Sequence, residues 1–389
     1  MRREYSILAL LALAASAAAG PCPPALEAVA ARVAELRGVQ APFLPPCRFV
    51  PISRLGAELD AKLRRDLPLP PELYVEALQR LGFIDAGPVY PRLLEFYSSQ
   101  VLGFYEPGAD EMVLVQRSDG APAGDPTVWA HELAHAVQER RFGLPARLLA
   151  MRHNSDRQRA MSAIAEGDAT LVMLVLSQAS PPSLEALRAT QRHLASQADT
   201  FPAPPGVPDF FVKDLAFPYA QGLATVLTAY ERGGWKAVDD LLRRPPDSTS
   251  ELLHPARRPL GPPLLDAELP PPPAGFTTVL TDTLGEWALA YWLGRRLPAA
   301  EASRLAATWD GDRLRLARNS QGEWALTLLV RCREASGSRE LATALRVWGP
   351  ALLSGLTPGR EPEFEVAAAG RLVTMRSPRR PVSLPAPTP

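Results

Sequence analysis

The stretch DPTVWAHELAHAVQERRFG, Asp125 to Gly143, decides how this chain is read. Asp125 followed by Pro126 is an N-cap with proline at the first helical position, and Gly143 with Pro145 beyond it marks a stop. A helix is therefore expected from Asp125 to about Arg141. Inside it, His131-Glu132-Leu133-Ala134-His135 spells H-E-x-x-H. Residues four apart lie one turn above each other on one helix face, so both imidazoles can address a single metal ion. Glu132 stands beside them, placed as base for a metal-bound water. The plainer alternative is a solvated helix that carries these residues by chance, and the independent capping signals weigh against it.

A zinc site that does chemistry keeps three protein ligands and leaves a position for water. The longer metzincin pattern needs Gly at 138 and His at 141; the chain has Gln138 and Arg141, which excludes that class. His153 sits in a polar loop, and Asp156 at the capping end of that loop. Glu166 is the better candidate. It lies in Ala165-Glu166-Gly167-Asp168-Ala169, midway along a second expected helix that a capping box at Ser155–Gln158 opens and that continues to about Ala179. Ala163, Ala169, Thr170 and Met173 surround it at helical spacing, and with Gly167 this small face can approach the His131 helix closely. A carboxylate there is costly unless a cation answers it. A metal is one answer; an ion pair with Arg157 or Arg159 is the other. Asp168 shares its face with Met161, Ile164, Leu171, Val172 and Val175, so it is expected to be buried, either accepting the second N–H of a ligand histidine or in a plain ion pair.

Outward from these helices, Gly103–Glu106 and Met112–Val115 flank a Pro107-Gly108 turn and read as a short hairpin. Helices are expected at 24–37, 53–81, 92–102, 184–196 and 218–232 from their apolar spacing. The proline-rich run from Pro259 to Pro273 reads as a linker. After it, a helix at 283–296, strands at 313–317 and 323–330, a helix at 338–348 and strands at 363–366 and 371–375 form a small unit. It carries Trp309-Asp310-Gly311-Asp312-Arg313, which can bind substrate, restrain the site or complete a core. The expected fold is α+β and mainly helical, with a small sheet beside the H-E-x-x-H helix and a C-terminal α+β unit. The expected division is a signal peptide at 1–19, a catalytic domain at 20–262, the C-terminal unit at 263–377 and a disordered tail at 378–389.

Across 389 residues, 42 basic side chains balance 42 acidic ones, so a dedicated nucleic-acid binder or polybasic membrane binder is excluded. Hydrophobic residues make up 47%, enough for a sizeable core. Arg2 and Arg3, the apolar run Ile7–Ala14 and the small residues to Gly20 follow the plan of a secretory signal peptide. That run is short for a membrane span and no other stretch reaches the necessary length, so no stable membrane insertion is expected after cleavage. The protein is expected to be secreted or periplasmic. Cys22 and Cys47 are the economical disulfide pair, and Cys332, in an apolar strand-like run, is expected to be a buried thiol.

H-E-x-x-H on one helix and E-G-x-A on the next resembles the gluzincin class of zinc metallopeptidases, which includes thermolysin-like enzymes and the M1-type aminopeptidases. More closely, Gln100–Tyr105, His131–Gln138, Ala165–Ala169 and Leu253-His254-Pro255 are similar to a group of secreted bacterial H-E-x-x-H proteins. The resemblance implies a zincin-like catalytic domain in which His131, His135 and Glu166 hold Zn²⁺ and Glu132 activates water for attack on a peptide or protein substrate. It also implies that the hairpin presents an edge strand to extended substrate. Tyr219, at an expected helix start, and His254 are the candidates for stabilising the oxyanion. Ala165 replaces the Asn of the aminopeptidase motif and no G-x-M-E-N signature is present, so an endopeptidase is expected rather than an exopeptidase. The alternative is a non-catalytic binding protein, or a structural metalloprotein whose zinc staples two helices.

Overall fold

The computed structural model describes residues 19–40, 43–122, 124–178, 180–257, 264, 266–356 and 363–378. The signal-peptide reading therefore falls, apart from Ala19, outside the described residues, as do positions 379–389 of the expected tail. The chain divides into two compact units: Met1–Glu72 with Gly87–Arg152 and Arg157–Ser248, and Leu73–Ala86 with His153–Asp156 and Thr249–Pro389. The division thus falls after Ser248, ahead of the proline-rich run, and the second unit also draws in two earlier segments.

The first unit is built around a four-stranded sheet. Its strands are β1 (Ala19–Gly20), β2 (Cys47–Pro51), β3 (Gly103–Glu106) and β4 (Glu111–Gln116), in the order β1-β2-β4-β3. β3 and β4 form the expected antiparallel hairpin, while β2 and β4 run parallel. β4 is buried on both faces, which is why Met112–Val115 is an unbroken apolar run. β2 escaped the sequence reading: five residues bounded by prolines show too little alternation to register as a strand.

Among the described residues, eight helices complete this unit: α1 (Pro24–Arg37), α2 (Ile52–Asp66), α4 (Val89–Gln100), α5 (Pro126–Phe142), α6 (Leu144–Leu149), α7 (Ser155–Leu176), α8 (Leu184–Thr200) and the long α9 (Asp209–Arg243). α3 (Pro71–Arg80) belongs almost wholly to the second unit, and the helical stretch 53–81 divides at Pro68, Pro70 and Pro71, the prolines that punctuate it in the sequence. One face of the sheet packs with α1, α5 and α7 through Leu26, Val33, Tyr105, Met112, Leu133, Val137 and Val172. The other face packs Val50, Phe104, Val113 and Val115 against Leu55 and Leu59 of α2. A disulfide joins Cys22 to Cys47, tying the start of α1 to β2.

α9 is longer than the sequence suggested. It begins nine residues before Pro218, carries that proline inside it, and bends at Gly233 and Gly234, whose backbones leave the helical region. Gly222 of α9 faces Gly167 of α7 so tightly that a Cβ on Gly222 would meet the Ala163 carbonyl oxygen at 1.8 Å. At Gly167 the small face of α7 thus meets α9, while its neighbours Ala165 and Glu166 reach the histidine helix.

The second unit holds an antiparallel sheet ordered β5 (Phe276–Asp282), β6 (Trp309–Asn319), β7 (Trp324–Cys332), β9 (Leu372–Ser377), β8 (Glu365–Ala369). α10 (Thr249–Leu253), α11 (Gly285–Gly294), α12 (Ala299–Ala306) and α13 (Ala335–Leu352) accompany it. The aromatic-acidic run at 309–313 completes the core: Trp309 and Asp312 are buried, and the Asp312 carboxylate accepts from Leu284 N and Gly285 N at the start of α11 and from Trp309 Nε1, each at 2.8 Å. Asp310 pairs with Arg331 and Arg371. Cys332 is the buried free thiol.

Candidate metal centre

α5 owes its exact start to Asp125, whose side chain accepts from Thr127 N and Val128 N, and its end to Gly143 in the left-handed conformation. Val128 to Gln138 are buried without interruption, so this is a core helix that carries its polar residues inside. His131 and His135 project from one face one turn apart, with their Nε2 atoms 3.2 Å from each other. α7 brings Glu166 to the same point, its Oε2 3.1 Å from His131 Nε2 and its Oε1 3.8 Å from His135 Nε2. One nitrogen or oxygen from each of the three lies within 4.8 Å of the others, and among the described residues this is the single cluster of three such side chains. All three residues are at most 4% exposed.

Two imidazole nitrogens and a carboxylate oxygen converging in a buried site are a donor set that could hold a metal ion and leave a further coordination position over. The arginines that offered an alternative partner for Glu166 are engaged elsewhere: Arg157 with Asp247 and Arg159 with Asp214. Burial opposes ionisation of Glu166, yet the charge of His135, the hydrogen bond and charge of His131 and a hydrogen bond from Tyr219 hold its pKa below the usual carboxylate value. Burial pushes His135 down, towards the neutral form that binds metal. At His131 burial acts the same way, but the hydrogen bond and charge of Glu166 outweigh it and raise the pKa.

Glu132 is 1% exposed, and its Oε2 accepts from the backbone N–H of Tyr105 at 3.2 Å. The base candidate is thus held directly by the edge strand β3. The Tyr219 ring stacks on His131 with centroids 6.1 Å apart and planes 19° from parallel. Its hydroxyl is hydrogen-bonded to Glu166; burial first, then the Glu166 charge, drives its pKa well above the ordinary phenol value, so it stays a proton donor.

Behind the histidines lies a chain that the sequence only partly revealed. His135 Nδ1 is 2.9 Å from Gln138 Oε1, and Gln138 Nε2 donates at 2.9 Å both to the Ala165 carbonyl and to Asp168 Oδ2. Arg37 of α1 donates to the other Asp168 oxygen at 2.5 Å and to Asp239 at 2.8 Å. Asp239 also pairs with Arg141, and Trp235 lies under the Arg37 guanidinium at 4.6 Å. Asp168 therefore makes the ion pair that was one of its two expected roles, and reaches the ligand histidine through Gln138 rather than directly. In the sequence Gln138 departs from the metzincin pattern and ends the His131–Gln138 segment of the resemblance, neither of which assigns it a partner; Arg37 gives no signal, being more than ninety residues away in sequence.

The remaining candidates belong to the second unit. His254 Nε2 is 2.6 Å from Glu286 Oε1. Asp156 accepts from Thr249 N and its hydroxyl, and Ser155, read as a cap, donates its hydroxyl to Asp282. His153 lies in an exposed turn.

Residues 94–204 match the model of a family described as "Putative metallopeptidase family (DUF6782)". That segment spans β3, β4, α5 and α7, and so contains Glu132 and all three residues of the cluster, whereas Arg37, Tyr219 and Asp239 lie outside it. No curated protein and no solved structure matches the chain.

Proposed function

We propose that the protein is a zinc-dependent metallopeptidase of the gluzincin type, with a zincin-like first unit, exported by the signal peptide at 1–19 and acting on peptide bonds within peptides or proteins outside the cytoplasm. The convergence of His131, His135 and Glu166, with Glu132 beside them, carries this reading. These three residues would hold the zinc, which when bound supplies a Lewis acid and lowers the pKa of a coordinated water to about 7.

The chain's own groups divide the rest of the work. Glu132 takes a proton from the attacking water as its oxygen bonds to the peptide carbon, and returns it to the amine as the C–N bond breaks. The Tyr105 N–H steadies that carboxylate from β3. Tyr219, kept protonated by burial and by Glu166, would turn its hydroxyl from Glu166 to the developing oxyanion. His254, paired with Glu286, is not needed for this role. β3 is an edge of its sheet, and an edge strand can add an extended substrate segment, which favours cleavage within a chain.

Hydrolysis of an unstructured protein substrate, followed by mass spectrometry of the products, tests the reading. Wild type is expected to cleave at internal bonds and to stop when a chelator is added. Glu132→Gln is expected to abolish turnover, and Tyr219→Phe to lower kcat by roughly 10²–10³-fold, the usual effect of losing one oxyanion donor. Equal turnover in wild type and Glu132→Gln would overturn it.

A further inference from the structure

We infer that Gln138 is a positioning residue that locks His135 in the tautomer with its proton on Nδ1, and that the buried Arg37–Asp168 ion pair sets the direction of that lock. The inference rests on the metal-site reading only for its consequence, that Nε2 is left free to bind zinc.

Arg37 is buried, always charged and donor-only, so Asp168, whose Oδ1 faces it, is held as a carboxylate with both oxygens as acceptors. Asp168 Oδ2 and the Ala165 carbonyl, both acceptors, lie 2.9 Å from one end of the Gln138 amide. Only the amide's NH₂ group can satisfy both, so its oxygen must turn to His135. Nδ1 of His135, 2.9 Å from that oxygen, must then carry the proton. Reversing the amide would set its oxygen against two buried acceptors at once. His135 Nε2 is left with its lone pair directed to the point where His131 and Glu166 converge.

The residue type matters as much as the position. Glutamine offers a donor end and an acceptor end at one site, which neither leucine nor glutamate does. A carboxylate at 138 would face Asp168 at close range in a buried setting, where like charges repel strongly. The negative charge is instead kept one residue back and neutralised by Arg37. Helix α1 therefore belongs to the site: it fixes a metal ligand's tautomer through three successive hydrogen bonds.

The test uses full-length, zinc-free protein labelled with ¹⁵N-histidine. Two-bond ¹H–¹⁵N correlation spectra distinguish the tautomers, and with five histidines in the chain the His135 signals can be assigned by their loss in His135→Asn. Wild type is expected to show a protonated Nδ1 and a bare Nε2 at His135. Gln138→Leu and Asp168→Asn are expected to mix the tautomers, and Gln138→Leu to weaken zinc binding about 10–100-fold in chelator competition, with the far-ultraviolet circular dichroism of wild type retained. A proton on Nε2 in wild type overturns the inference, and this holds whether or not any variant folds. A folded Gln138→Leu with the wild-type tautomer and zinc affinity within twofold overturns it as well. Failure of wild type to take up zinc counts against the metal reading alone, because the tautomer is read without metal.

Discussion

Glu166 and Lys62 are both charged side chains sunk in the first unit, and they differ in what surrounds them. Glu166 meets two histidines and a tyrosine, none of them a fixed cation, which is the environment of a ligand. Lys62 is 1% exposed and lies 3.7 Å from Glu106 and 3.9 Å from Asp66, with the Phe104 ring beneath it. Burial pulls its pKa down from 10.5 to about 8, against the pull of the two carboxylates. Between those two values the unfolded chain binds the proton more firmly than the native one, so stability from this group rises with pH across that window, and below pH 8 the full cost persists. Urea unfolding should show wild type gaining roughly 2 kcal/mol between pH 7.5 and 9.5 relative to the double variant Lys62→Met/Glu106→Gln. Parallel pH profiles for the two proteins would contradict this. At this scale the sequence disclosed what a helix's own period brings together: His131, Glu132 and His135 on one turn, and Glu166 as a carboxylate stranded on a small-residue face. It could not disclose Gln138 as the partner of His135, because a glutamine in a core helix reads as a mere exception, nor Arg37, which only tertiary folding brings to Asp168.

Among the elements, α5 was readable to within a residue because both of its ends carry local signals, Asp125-Pro126 and Gly143. α7 and α9 were less so. Pro218 reads as a helix start, and no local signal announces that α9 continues before it or that its Gly222 lies against α7. That contact places Glu166 and Tyr219, on opposite partners, at one point. Gly222→Ala is therefore expected to force the helices apart and lower unfolding stability by about 1–3 kcal/mol, the usual cost of overpacking. Zinc affinity should fall with it. A variant as stable as wild type in urea would show that the glycine contact is not limiting. Short strands such as β2 were invisible for the opposite reason: five residues pair through long-range hydrogen bonds that no local period announces.

For the molecule as a whole, the cysteine spacing anticipated the Cys22–Cys47 bridge, and an oxidising destination is consistent with the proposed export. The bridge closes a loop of 25 residues that contains α1, so replacing both cysteines with serine should reduce unfolding free energy by about 3.5 kcal/mol by chain entropy. Unchanged stability in that double variant, followed by thermal unfolding under oxidising conditions, would contradict the expectation. The division into two units was harder to read. A proline-rich run is a natural linker, yet Leu73–Ala86 and His153–Asp156 join the second unit from far upstream, through contacts such as Trp292 Nε1 to the Leu81 carbonyl at 2.7 Å. Composition carries no record of such returns. The proposed metal site is made by three side chains of the first unit, and metal content is the measurement that decides it. Elemental mass spectrometry of the purified protein, after zinc reconstitution and removal of excess, should give about one zinc per chain in wild type and in Glu132→Gln, since Glu132 is placed as a base and not a ligand, and a clear loss in Glu166→Ala. Folded wild type without zinc, or full zinc occupancy in Glu166→Ala, would contradict the account.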